Sequence, residues 1–176
     1  LNACYRQIQS LMMGQTHGGH SWMIMGLGLD TFGQTGGNSA FANWNNLNSS
    51  DGMVRHWYDN LYKLINRANT VIDMMDERTY ITYSSAEKKA ELRATAVFFR
   101  AWSYRVLAGM YGNVPLLDHR ATSITTGYVP ANRQEVWEFC KEDFAYAAQN
   151  LPAKAEKPGQ IVRAAADHYL AEVNLA

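Results

Sequence analysis

Residues Arg93 to Leu117 read RATAVFFRAWSYRVLAGMYGNVPLL, a helix apolar on more than one face that stops at Gly-Asn-Val-Pro. Ser84 and Glu87 stand ahead of it at the spacing of a capping box, in which each side chain satisfies the other's backbone donor, so the helix is expected from Ser84 to Tyr111. Along it Leu92, Ala96, Phe99, Val106 and Met110 form one apolar row. Ala94, Val97, Ala101, Tyr104, Ala108 and Tyr111 form a second, and Phe98 and Trp102 point in a third direction. A helix on a simple globular surface carries one stripe; several contact directions require neighbours on several sides, as inside stacked helix pairs. Gly112 can take the left-handed conformation that ends helices, and Pro115 forbids continuation.

Four further helices and one long loop account for the rest. The first helix is expected from about Leu1 to Met13, ending at Gly14. A second runs from about Asp51 to Met75, where Val54, Trp57, Tyr58, Leu61, Leu64, Ile65, Ala68, Val71, Ile72 and Met75 keep the spacing of three and four throughout. The fourth starts at Asn132 with Glu135 in capping position and ends at Asn150 before Pro152, and the fifth starts near Val162. Short connections favour antiparallel pairing of the second helix with the third and of the fourth with the fifth; no clean sequence repeat accompanies the pattern. The expected class is all-α.

Three blocks in this order and spacing, WYDNLYKLINRANTVID from Trp57, FFRAWSYRVLAGMYGNVPLL from Phe98 and NRQEVWEFCKEDFAYAAQNLP from Asn132, resemble the N-terminal half of the SusD/RagB family of outer-membrane nutrient-binding lipoproteins. The positions that match its pattern are Trp57, Tyr62, Ile65, Ala68 and Asn69; Arg100, Ala101, Tyr104, Leu107, Tyr111, Gly112, Val114 and Pro115; then Arg133, Glu135, Val136, Asp143, Ala147, Leu151 and Pro152. Gly159 to Ala176 resembles a fourth family segment, with Gln160 where Arg is usual and Arg163 where Lys is usual. The resemblance implies a tetratricopeptide-like helical superhelix that docks against a SusC-like TonB-dependent transporter. It also implies that residues 1–176 are a SusD-like N-terminal helical domain truncated at both ends, since members begin with a lipoprotein signal and continue for several hundred residues. The last periodic segment, reaching Ala176 without a capping signal, carries the same expectation.

Sixteen basic and sixteen acidic residues, scattered in no long run, disfavour a phosphate backbone or an anionic membrane surface, so no nucleic-acid partner is expected. No apolar stretch reaches the length of a membrane span. Leu1-Asn2-Ala3-Cys4 imitates the box at which lipoproteins are acylated, but no hydrophobic signal precedes it and Leu1, Cys4, Ile8, Leu11 and Met12 share one helical face, so Cys4 reads as a small buried residue. Membrane association is expected only through a lipid anchor outside these residues. Cys140 also lies on an apolar helix face, and two buried thiols are expected rather than a disulfide.

The segment from Gly14 to Ser50 carries eight glycines and one short apolar run, Trp22 to Leu29, of strand character. A loop of that length in a compact domain is usually functional or disordered. It ends in Phe41-Ala42-Asn43-Trp44-Asn45-Asn46. An aromatic face stacks on the C–H groups of a sugar ring and carboxamides pair with its hydroxyls, so Trp44 with Asn43 and Asn45 suits saccharide capture. The bland reading, a loop Trp packed on the helices with Asn residues serving turns, stands beside it. Trp22, Asp30 and Phe32 form a second candidate group. The family's ligand residues are not part of the shared motif, so none transfers.

Arg100, set in an apolar helix, is expected to find Asp143, Glu142 or a helix carboxyl terminus; Asn66 and Asn69 are expected to hydrogen-bond neighbouring backbone. With Trp57, Tyr104, Gly112 and Pro115, Asn69 and Arg100 form the scaffold motif. His17-Gly-Gly-His20 falls short of a zinc pattern and Gly26-Leu-Gly28 of a dinucleotide loop. No metal, no cofactor and no catalysis are expected. The function the resemblance implies is capture of an oligosaccharide or other nutrient and its delivery to the transporter; a peptide-binding family member, or a helical-repeat adaptor for a peptide or protein partner, is the alternative.

Overall fold

The computed structural model describes residues 1–13, 15–16, 19–20, 47–78, 80–123 and 125–176. Its elements in order are α1 (Asn2–Met13), β1 (Gln15–Thr16), β2 (Gly19–His20), α2 (Gly52–Glu77), α3 (Ala86–Tyr111), α4 (Arg133–Asn150) and α5 (Arg163–Leu175). The architecture is all-α; the two short strands pair antiparallel, Gln15 opposite His20, inside the segment read as loop. The chain divides into two compact units, Leu1–Cys4 with Leu61–Ala176, and Tyr5–Asn60.

In the larger unit, partner numbers fall on one helix as they rise on the next, which fixes the pairs as antiparallel. Between α2 and α3, Asp76 pairs with Arg93, Ile72 packs with Ala96 and Val97, and the ring of Tyr62 meets that of Tyr104. Between α3 and α4, Phe98 lies on Phe144, Ala101 accepts the Cys140 thiol and Tyr104 lies on Phe139. α5 closes the layer through Tyr169, stacked on Phe144 at 5.6 Å and tilted against Phe98 at 5.9 Å. α3 is therefore the central helix, buried on three sides from Ala94 to Ala108 as its sequence requires, although Met110 at the end of its first row is 42% exposed.

The helix ends follow local chemistry. Asn132 and Glu135 form the expected reciprocal capping box of α4. α3 is capped by Ser85 rather than Ser84: Ser85 is extended and accepts from Lys88 N, so the third helical position carries a lysine and no reciprocal carboxylate. Gly112 ends α3 at φ +76° and ψ −112°, with positive φ as expected but away from the left-handed helical well; only a residue without Cβ adopts that region freely.

In the smaller unit, Gln7 donates to Asn60 at 2.7 Å, and Asp51 caps α2 by accepting from Met53 N and Val54 N. Trp57 and Leu11 are fully or almost fully buried. Among the described residues no helix is long and apolar enough to cross a membrane.

Candidate functional site

The densest polar construction in the described chain surrounds Pro115–Ala121, a strap without regular secondary structure that follows α3 after Gly112. Tyr62, Asn66, Asn69, Asp73 and Glu77 recur at three- and four-residue spacing on α2 and so share one face. Each grips the strap. Tyr62 donates to the Pro115 carbonyl at 2.7 Å, and Asn69 Nδ2 donates to the carbonyls of Leu117 and His119 at 2.7 and 3.0 Å. Asp73 accepts from the Arg120 backbone at 2.8 Å and lies 3.0 Å from His119 Nδ1. Asn66 accepts from the Ala121 backbone at 2.8 Å, and Glu77 pairs with the Arg120 guanidinium at 2.8 Å.

α3 holds the same strap from the other side. The Tyr104 hydroxyl accepts from Leu117 N at 2.6 Å, and burial pushes the phenol well up, so it stays protonated. Arg100 Nη1 donates to the Asp118 carbonyl and to Asn69 Oδ1, both at 3.1 Å. Its Nε and Nη2 form a bidentate pair with Asp143 of α4 at 2.7 and 2.8 Å, and its plane lies 4.9 Å over the Phe139 ring. Burial works against the Arg100 charge, but Asp143 outweighs it and raises the pKa. Burial likewise raises the Asp143 carboxyl, opposed by the Arg100 hydrogen bonds; with a permanently charged guanidinium bound on two oxygens, the pair is ionic. Beyond the strap the chain returns to an antiparallel bridge, Ala131 N donating to Val114 O at 3.0 Å.

Each of these groups is engaged by the chain's own backbone or a neighbouring side chain, so the centre is a structural lock that shapes the loop emerging from it. Of the expected partners of Arg100 the structure brings Asp143. Asn66 and Asn69 do meet backbone, but that backbone belongs to the strap, 55 and 48 residues away in sequence. Asn69, Arg100, Tyr104 and Pro115 all contact or belong to the strap, Gly112 ends α3 ahead of it, and Trp57 is buried in the smaller unit. The signal that sequence reasoning passed over is the polar row on α2, five residues at helical spacing beside the apolar face.

Trp44, Asn43, Asn45, Trp22 and Asp30 lie outside the described residues, as do Phe32, His17 and the run from Trp22 to Leu29. Cys4 and Cys140 are free and buried, and burial raises both thiols. Among the described residues no three His, Cys, Asp or Glu side chains cluster as a metal-binding set. Gln160, where the family pattern has Arg, folds the α4–α5 connection: its carbonyl accepts from Glu156 N at 2.7 Å and its amide donates to Glu91 at 3.0 Å. A guanidinium has no acceptor with which to do the first.

The SusD-like family model, described as starch-binding associating with outer membrane, matches residues 27–175. Over 120 residues the chain is 31% identical to a SusD-like protein of Bacteroides ovatus, covering 68% of this chain and 22% of that protein. Among solved structures it resembles a SusD-like carbohydrate-binding protein of Bacteroides fragilis, with 25% identity, TM-score 0.76, and 98% and 36% of the two chains covered. It also resembles the fold of a laminarin-binding SusD-like protein, with 22% identity, TM-score 0.81, and 99% and 38% covered. The chain thus spans about a fifth of the curated relative and little more than a third of the two solved proteins. With the family model matched along most of its length, and the three sequence blocks forming the lock around the strap, the chain belongs to the SusD-like family.

Proposed function

We propose that this chain is the N-terminal helical part of a lipid-anchored protein on the outer face of the outer membrane, which captures oligosaccharide and hands it to a SusC-like TonB-dependent transporter. The observation that carries the reading is the family match over residues 27–175, whose description joins starch binding to the outer membrane. A relative of the same fold that binds laminarin supports a glycan as the ligand class.

The mechanism is binding without bond-making. Trp44 offers a stacking face, with Asn43 and Asn45 pairing to sugar hydroxyls and Trp22 and Asp30 as a second group. The locked helices supply a rigid scaffold, so little ordering is left to oppose capture of a flexible sugar chain.

Titration of the protein with maltooligosaccharides and laminarin oligosaccharides, followed by analysis of the recovered sugar, tests this. Saturable binding with the sugar recovered intact is expected. No binding to any glycan on the panel, or a shortened product, would overturn it.

A further inference from the structure

We propose that His119 is a proton-operated latch on the strap: its imidazole stands between the carboxylates of Asp73 and Asp118, holding the loop beyond Ala121 firmly when charged and loosening it when neutral. Nδ1 lies 3.0 Å from Asp73 Oδ1 and Nε2 lies 3.9 Å from Asp118 Oδ2, so both ring nitrogens face an anion. A charged imidazolium donates from both nitrogens; a neutral ring donates from one and carries no charge to either carboxylate.

The latch sits at the exit of the strap. Asp73 uses its other oxygen on the Arg120 backbone, so one carboxylate fixes two consecutive strap residues. Among the described residues the other charges acting on the pair are committed elsewhere: Arg120 to Glu77 on α2, and Arg100 on α3 to Asp143. Past Ala121 the described residues to Pro130 are all exposed, with Val129 at 85% and Tyr128 at 45%, until the bridge at Ala131. Between His119 and that stretch stand the Arg120 ties to Asp73 and Glu77 and the Ala121 tie to Asn66, so loosening at His119 is read first at the Arg120 and Ala121 amides.

The hydrogen bond to Asp73, then the Asp118 charge, raise the His119 pKa above its ordinary 6.5. Its contribution is therefore fully present below 6.5 and lost as pH rises through the folded value. Burial opposes the shift at Asp73, but the Arg120 N–H and the His119 ring lower its pKa below 3.8. That contribution is present above 3.8 and lost as pH falls through the folded value. The latch is closed between these limits and opens on the alkaline side.

Hydrogen exchange of the Arg120 and Ala121 amides at pH 5.5 and 8.5, corrected for intrinsic rates, tests the latch on the whole protein. Protection about twofold lower at the higher pH is expected, the scale of one exposed ion pair, with the difference absent in His119→Gln. Equal protection at both values, or the same pH dependence in His119→Gln, would overturn it. The His119 ring titration followed by NMR is independent of any variant: a pKa at or below 6.5 also sinks the proposal, and a raised value that falls in Asp73→Asn supports it.

Discussion

The two sides of α3 are held by different physics. Towards α4 and α5 it is an aromatic interface, where Phe98, Phe144 and Tyr169 meet ring to ring. Towards α2 a small apolar cluster, Ile72 with Ala96 and Val97, adjoins a polar lattice towards the strap, in which Tyr104, Arg100 and the α2 row bind Pro115–Ala121, mostly at backbone atoms. The aromatic side gains from burial and needs only bulk in the right place. The polar side gains little per bond and loses much when a partner is removed, since buried groups are then left unsatisfied. One side makes the helices adhere; the other decides the path of the connection between them.

Removing Phe144 strikes the aromatic side alone. Phe144→Ala is expected to cost about 3–5 kcal/mol in urea denaturation, through the cavity it leaves. Arg100→Ala removes the group that joins the two sides and strands Asp143, at a cost of about 3–5 kcal/mol. Arg100→Met with Asp143→Leu is expected to regain most of that stability while leaving the strap less protected from hydrogen exchange. Regained protection as well would mean that the two sides are one.

Asn69→Leu attacks the lattice only. A loss of about 2 kcal/mol is expected, with exchange accelerated at residues 117–121 and the near-UV signal of the aromatic cluster unchanged. Gln160→Arg asks whether a side chain reading backbone matters elsewhere, and about 1 kcal/mol with faster exchange at Glu156 is expected.

This contrast also explains what the sequence revealed. Side chains that meet side chains leave a period, so all five helices, the three-sided burial of α3 and the Asn132–Glu135 box were readable. The cap slipped from Ser85 to Ser84 because Glu87 matched a pattern that the true N-cap does not complete. Side chains that meet backbone leave no matching signal in the partner. Asn66 and Asn69 showed that a polar contact existed, but any residue of the strap offers the same carbonyl and N–H, so the partner could not be named. Arg100 had several carboxylates within plausible register, and only the packing of α3 on α4 selects Asp143. The glycan candidates around Trp44 rest on side-chain chemistry alone, because they lie outside the residues that carry the family resemblance.

Capture of a glycan through Trp44 is tested most directly by calorimetric titration of the protein and its Trp44→Ala variant with the oligosaccharide that binds best, alongside their melting temperatures. The reading predicts saturable binding weakened about tenfold in the variant, near 1.4 kcal/mol, with an unchanged melting temperature. Unchanged affinity with a lowered melting temperature would make Trp44 a packing residue, and failure of the unaltered protein to bind any glycan would contradict capture itself.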